Sequence, residues 1–136
     1  MQILYSVEIS NSMEVLWEQL SSFEGIEKYL PIITKSKIEG EGVGSKRISE
    51  INLRNQMYSM QETLQNLDET KHTFTTSLDD GPIQIKGMNF TFSLNPTGKN
   101  KTNLTISTNV TNPDSQIIAK NFFEMIGQGL KKLHEL

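Results

Sequence analysis

The chain predicts an α+β domain. A curved antiparallel sheet of seven strands is joined by two short helices after the first strand and a long C-terminal helix, in the order β-α-α-β6-α. Three observations carry this prediction. Apolar residues alternate at spacing two over residues 2–9 and again through most of 45–110, the period of half-buried strands. Turn-forming clusters punctuate that second stretch. Residues 113–135 carry a helical apolar stripe behind a helix-start signal.

Ile3, Tyr5, Val7 and Ile9 make residues 2–9 an amphipathic strand. From Asn11 the spacing turns helical, with Met13, Leu16, Trp17 and Leu20 on one face, and Asn11 and Glu14 form a capping box. A second helical piece over 23–29 ends at Pro31. Residues 32–39 read as a strand, and Gly40-Glu41-Gly42-Val43-Gly44 turns the chain. Ile48–Leu53 and residues 56–67 form a hairpin through Arg54-Asn55, and Leu67–Thr70 turns again. His72, Phe74, Thr76 and Leu78 alternate up to the break at Asp79-Asp80-Gly81-Pro82. Met88, Phe90, Phe92 and Leu94 alternate up to a turn at Asn95–Gly98, and Leu104, Ile106, Thr108 and Val110 follow. Ile83 and Ile85 are out of phase with Met88, so a bulge is expected near Gly87. Asn112 caps the last helix, Pro113 fits its first position, and Asp114 sits at its positive end. Lys131, Lys132 and His134 complement the negative end. The apolar face is expected to carry Ile118, Phe122, Met125, Ile126, Gly129, Leu133 and Leu136.

Composition narrows the function. The 136 residues suit one domain spanning 1–136. Hydrophobic residues make up 35% and mean hydropathy is −0.41. No apolar run approaches the roughly 18–20 residues that span a bilayer, and no basic n-region precedes Glu8. A cytoplasmic protein without stable membrane insertion is expected. Cysteine is absent, which excludes disulfides and thiolate chemistry. A net charge of −3, with Arg47 and Arg54 the only arginines, argues against nucleic acid. The three Asn-X-Thr triplets at Asn89, Asn103 and Asn109 read as outward strand residues. Gly40–Gly44 lacks the spacing and the following helix of a dinucleotide loop, and no Gly-X-Ser-X-Gly elbow occurs. Two isolated histidines build no metal site. No cofactor, metal or catalytic residue is assigned.

The architecture itself suggests a cavity. A helix of about 24 residues is about 36 Å long but only about 10–12 Å across, narrower than the concave face of seven strands. Gly in a helix interior costs about 1 kcal/mol relative to Ala, yet Gly129 stands on the apolar face. It either permits a close contact or leaves room for a ligand. Met60, Met88 and Met125 suit a core or a ligand wall. With Arg54-Asn55 as a two-residue loop, Leu53 pairs with Gln56, Ile51 with Tyr58, Ser49 with Met60 and Arg47 with Glu62. All of these fall on the inward face. Arg47 and Glu62 are thereby expected as an inward cross-strand pair, either fixing register or serving as the polar anchor of an apolar pocket.

The residues Glu14-Val15-Leu16-Trp17, Phe23-Glu24-Gly25-Ile26, Tyr29-Leu30-Pro31 and Ile38–Arg47 resemble the polyketide cyclase/dehydrase-like family. That family lies within the START-related, birch-pollen-allergen-like helix-grip superfamily. Glu62, Leu64 and Leu67-Asp68 also resemble the family's next strand and turn. The resemblance implies a curved sheet gripping the C-terminal helix around a hydrophobic cavity, and members include lipid and polyketide binders and some cyclases.

The leading expectation is a carrier or sensor holding a hydrophobic or amphipathic small molecule between sheet and helix. Its site would comprise Arg47, Ile51, Tyr58, Met60, Glu62 and Phe74 from one half of the chain. Met88, Phe90, Phe92, Phe122, Met125 and Gly129 would come from the other. The alternatives are a cyclase/aromatase-type enzyme, with Arg47, Glu62, Tyr58 or His72 polarising a carbonyl or moving a proton, and an interaction module with a filled cavity. The oligomeric state stays open, a homodimer included.

Overall fold

Turn chemistry sets the strand pairing. The computed structural model describes residues 1–135, the side chain of Leu53 excepted. The inward placement of Leu53 and the place of Leu136 on the helix face lie outside the described residues. The strands are β1 (Gln2–Ile9), β2 (Ile33–Glu39), β3 (Lys46–Leu53), β4 (Gln56–Asp68), β5 (Thr73–Asp80), β6 (Asn89–Gly98) and β7 (Lys101–Asn109). Among the described residues these form one antiparallel sheet of order β1-β7-β6-β5-β4-β3-β2. Strands β2 to β7 are thus a meander, and β1 crosses over to pair with β7. Arg54 and Asn55 have φ of 51° and 64°, the positive values a type I′ hairpin turn needs. Leu53 therefore pairs with Gln56, Ile51 with Tyr58 and Arg47 with Glu62.

The two faces follow from alternation. Val7, Ile9, Ile51, Met60, Leu64, Phe90, Leu104 and Ile106 are buried on the concave face. The convex face carries cross-strand hydroxyl pairs, Ser6 with Thr105 at 3.1 Å, Thr73 with Ser93 at 3.2 Å and Thr75 with Thr91 at 3.1 Å.

Several boundaries differ from expectation. Helix α1 (Met13–Ser21) is capped by Ser12, whose Oγ accepts from the Val15 N–H at 3.3 Å. Asn11 is not the cap, because its Oδ1 accepts from the Ser12 N–H. The second short helix is a single 3-10 turn, Ile26–Lys28. It is preceded by Phe23 and Gly25 with φ of 67° and 73°, which break any regular helix before it. The bulge expected near Gly87 is present: the Gly87 N–H donates to the Leu78 carbonyl at 2.7 Å and the Leu78 N–H donates to the Met88 carbonyl at 2.9 Å, so two residues oppose one, with Gly87 at φ 86°. It closes a turn-rich loop over residues 82–88 in which the Ile85 and Lys86 N–H groups donate to the Pro82 carbonyl. The buried Ile85 anchors this loop in the core. Strand β6 continues through Pro96 to Gly98, so the turn falls at residues 99–100 rather than 95–98.

Helix α2 (Pro113–Leu133) starts as expected, with Asn112 Oδ1 accepting from the Ser115 N–H at 2.9 Å. Its buried face is Ser115, Ala119, Phe122, Phe123, Ile126, Gly127 and Leu130, rotated from the expected stripe. Ile118 and Met125 are half-buried and Leu133 is exposed. The cause is close packing of small residues. A Cβ on Gly127 would run into the Tyr5 ring on β1, and one on Gly129 would fall onto the Tyr29 carbonyl, 2.7 Å from its carbon. Gly129 thus permits close contact with the segment after α1 and does not face open space. Among the described residues no helix is long and apolar enough to cross a membrane.

His134 does more than complement the helix dipole. Its Nδ1 accepts from Asn11 Nδ2 at 3.0 Å, and its Nε2–H donates to Gln19 Oε1 at 2.7 Å. The neutral ring thus ties the end of α2 to α1. Burial lowers its pKa below the usual 6.5.

Two predictions follow from this packing. Gly129→Ala should destabilise by about 1–3 kcal/mol in urea unfolding, opposite in sign to helix propensity, because the added carbon meets backbone. A neutral or stabilised variant would show that the Tyr29 segment yields. For His134, the unfolded chain binds the proton more tightly than the folded one. The stability tied to its neutral form is therefore present above about pH 6.5 and lost as pH falls below it. The melting temperature should drop between about pH 7.5 and about pH 5.5, and His134→Gln should flatten that drop.

Candidate functional site

Arg47 and Glu62 are placed by strand alternation and the type I′ register. Arg47, Ser49 and Ile51 point inward from β3, as do Met60, Glu62 and Leu64 from β4. Arg47 Nε donates to Glu62 Oε1 at 3.0 Å and Nη2 donates to Oε2 at 2.9 Å, a bidentate pair with both residues about 95% buried (5% and 4% exposed). Nη1 donates to the Phe23 carbonyl at 3.3 Å, and the guanidinium lies 4.0 Å from the Phe23 ring centroid. The left-handed backbone at Phe23, φ 67°, accompanies this double engagement through ring and carbonyl.

The electrostatics fix the protonation states. Burial alone would lower the Arg47 pKa, but attraction to Glu62 and the hydrogen bonds to its carboxylate outweigh it, and the pKa is raised. Burial raises the Tyr29 phenol, with Arg47 pulling the other way and Glu62 pushing it further up. The site therefore holds a guanidinium cation beside a neutral phenol. Two fully buried hydroxyls, Ser49 Oγ and Thr76 Oγ1, lack a hydrogen-bond partner. Ser49 pairs with Met60 and Thr76 with Leu64, so each is a diagonal neighbour of Glu62 in the register.

Between sheet and helix the free volume is about 10 Å³, roughly the space one water needs. Leu20, Ile26 and Tyr29 bound it on one side, Phe122, Phe123 and Ile126 on the helix side, and Phe74, Phe90 and Phe92 on the sheet, with Arg47 and Glu62. Phe74 and Phe92 stack at 4.8 Å, and Phe90 meets Phe123 edge-on at 5.5 Å. Two larger hollows, about 650 and 680 Å³, are open surface grooves. The first is lined largely by polar and charged side chains such as Glu18 and Lys28, and the second sets Lys37 and Glu50 beside Ile48, Met57 and Tyr58.

Of the residues expected at the site, Arg47, Glu62, Phe74, Phe90, Phe92 and Phe122 meet around this void. Ile51 and Met60 are buried nearby in the core without lining it. Met88 and Met125 are half-buried at the periphery. Tyr58 is 49% exposed, because β5 ends opposite Gln61 and leaves this end of β4 without a neighbour on that side, and its hydroxyl donates to Gln56 at 2.6 Å. Gly129 abuts Tyr29. His72 packs edge-on against Trp17 at 5.2 Å, outside the lining. Tyr29, Ile26 and Phe23 were not expected at the site. They sit in the irregular link between α1 and β2, where no period assigns a facing side, although they stand within the motifs that carry the resemblance. Among the described residues no group of three or more His, Asp or Glu side chains could hold a metal.

Comparison with known proteins agrees with this geometry. The family model described as polyketide cyclase / dehydrase and lipid transport matches residues 2–136. A solved protein from Nitrosospira multiformis superposes with a TM-score of 0.80 at 16% identity, over 99% of this chain and 97% of its own. A START superfamily protein from Mycobacterium smegmatis gives 0.79 at 18% identity, over 98% and 96%. The ginseng major latex-like protein 151 from Panax ginseng gives 0.75 at 18%, over 100% and 98%. At these identities the likeness shows the fold, the helix-grip arrangement. No curated protein matches the chain.

The ion pair is open to a double-mutant test. Glu62→Ala should destabilise by about 3–5 kcal/mol in urea unfolding, since it leaves Arg47 buried without a counter-charge. Arg47→Met combined with Glu62→Leu should come within about 1 kcal/mol of the unaltered protein. A double variant as unstable as Glu62→Ala would mean that the pair holds the fold together.

Proposed function

Since the chain belongs to the polyketide cyclase / dehydrase and lipid transport family, we propose that it is a binding protein for a hydrophobic or amphipathic small molecule, taken up between sheet and α2. One observation carries the reading: a hydrogen-bonded ion pair stands in an aromatic interior beside free volume. A buried ion pair contributes little net stability compared with well-packed apolar residues, which favours a role in recognition. The wall is aromatic and aliphatic with a few convergent polar groups, the usual make-up of a small-molecule site.

With about 10 Å³ free, a ligand must displace side chains. Phe122, Phe123 and Ile126 would move with α2, opening the interior from the helix side. The small volume also favours a second reading, that the interior is a packed core and the protein acts through its surface. The cyclase-type reading draws less support. Tyr58 and His72 stand away from the void, and Arg47 and Glu62 are bonded to each other.

Titration with the neutral apolar dye Nile red, read by fluorescence and by native mass spectrometry, should show saturable one-to-one binding. Ile126→Phe, whose added volume about matches the space of one water, fills the void from α2 and should weaken that binding at least tenfold while the protein stays folded. Absence of saturable binding would leave the packed-core reading.

A further inference from the structure

We infer that the interior selects uncharged ligands bearing a carbonyl or hydroxyl group over carboxylates, an inference that rests on the ligand-binding reading above. Among the described residues lining the void, Arg47 is the only cation, and Glu62 engages it at both Nε and Nη2. The site is therefore electrically neutral before any ligand arrives. A carboxylate entering beside the pair would add a net negative charge within walls made by Phe74, Phe90, Phe92 and Phe122. A carboxylate that instead took Arg47 for itself would leave Glu62 buried and unpaired. Both arrangements put an uncompensated charge out of water.

A neutral oxygen meets the opposite situation. A guanidinium has five N–H donors. Three are committed, two to Glu62 and one to the Phe23 carbonyl, so two remain for Tyr29 and an incoming oxygen. The unpartnered Ser49 and Thr76 hydroxyls lie diagonal to Glu62, on β3 and β5. They stand behind the lining of the void on the same concave face and become available only as a ligand enlarges it. A ketone or alcohol oxygen can join this group without changing its charge, and the apolar remainder of the molecule replaces aromatic contacts. The class that fits is a neutral oxygenated hydrocarbon, such as a ketone, alcohol or phenol.

Matched probes of one chain length test this: decan-2-one, decan-1-ol and decanoate, titrated calorimetrically. At about pH 8 the ketone and alcohol should bind at least tenfold more tightly than decanoate. Between about pH 8 and about pH 6, the apparent affinity of decanoate should rise about tenfold per unit. Over this range its neutral acid form grows by that factor, the carboxyl pKa lying well below. The ketone should not change. This series needs no altered protein, so it stands even where a variant fails to fold. Glu62→Gln, which leaves Arg47 without a counter-charge, should reverse the preference towards decanoate. Equal or tighter binding of decanoate at about pH 8, without pH dependence, would overturn the selectivity while leaving the binding site in place. Binding of none of the three probes, with no Nile red binding either, would overturn the site and the selectivity together.

Discussion

Taking a guanidinium out of water costs several kcal/mol. Here one carboxylate, one carbonyl and one aromatic ring offset that cost for Arg47. These partners come from β4 and from the link after α1, so satisfying a single side chain on β3 fixes three parts of the chain. The backbone at Phe23 is in the left-handed region, where a bulky residue loses of order 1–3 kcal/mol. That conformation accompanies a geometry in which the residue offers its ring and its carbonyl to the same cation. The aromatic lining of the interior is arranged around this charge.

The same link sets the position of α2. Gly129 brings the helix against the carbonyl of Tyr29, and Tyr29 is also an electrostatic neighbour of Arg47. Residues 23–29 therefore stand between the ion pair and the helix and touch both. A displacement of the helix that admits a ligand must be accommodated by this segment, and so is felt at the guanidinium. Polar site and moving wall are joined by direct contact.

The parts of the molecule that obey a period were legible in the sequence. Alternation placed the strands, and the two-residue loop at Arg54-Asn55 placed Arg47 opposite Glu62. The cap at Asn112 placed the start of α2. Legibility ended where tertiary packing chose between equivalent local options. Gly129 could mean space or contact, and only the Tyr29 carbonyl settles it. The face of α2 turned away from its hydrophobic stripe because Ala119 and Gly127 allow closer approach than Met125 and Leu133. Tyr58 has the inward phase, yet it sits beyond the end of β5, and alternation carries no information about how far a neighbouring strand extends. Phe23, Ile26 and Tyr29 lie in an irregular segment with no period to read. His134 looked like a dipole partner because its two bonding partners, Asn11 and Gln19, are remote in sequence.

The crossover that brings β1 beside β7 bears on how the chain finds its fold. Strands β2 to β7 are joined in succession by short connections, so each pairing closes a small loop and forms early at low entropic cost. The pairing of β1 with β7 joins residues as distant as Met1 and Val110, 109 positions apart. It cannot reward the chain until β7 has been laid down. On a ribosome the first strand emerges with its partner still unmade, and it must wait with Ile3, Tyr5, Val7 and Ile9 uncovered. The N-terminal strand is thus the segment most exposed to misassociation during synthesis and the one whose docking completes the wall on which α2 rests.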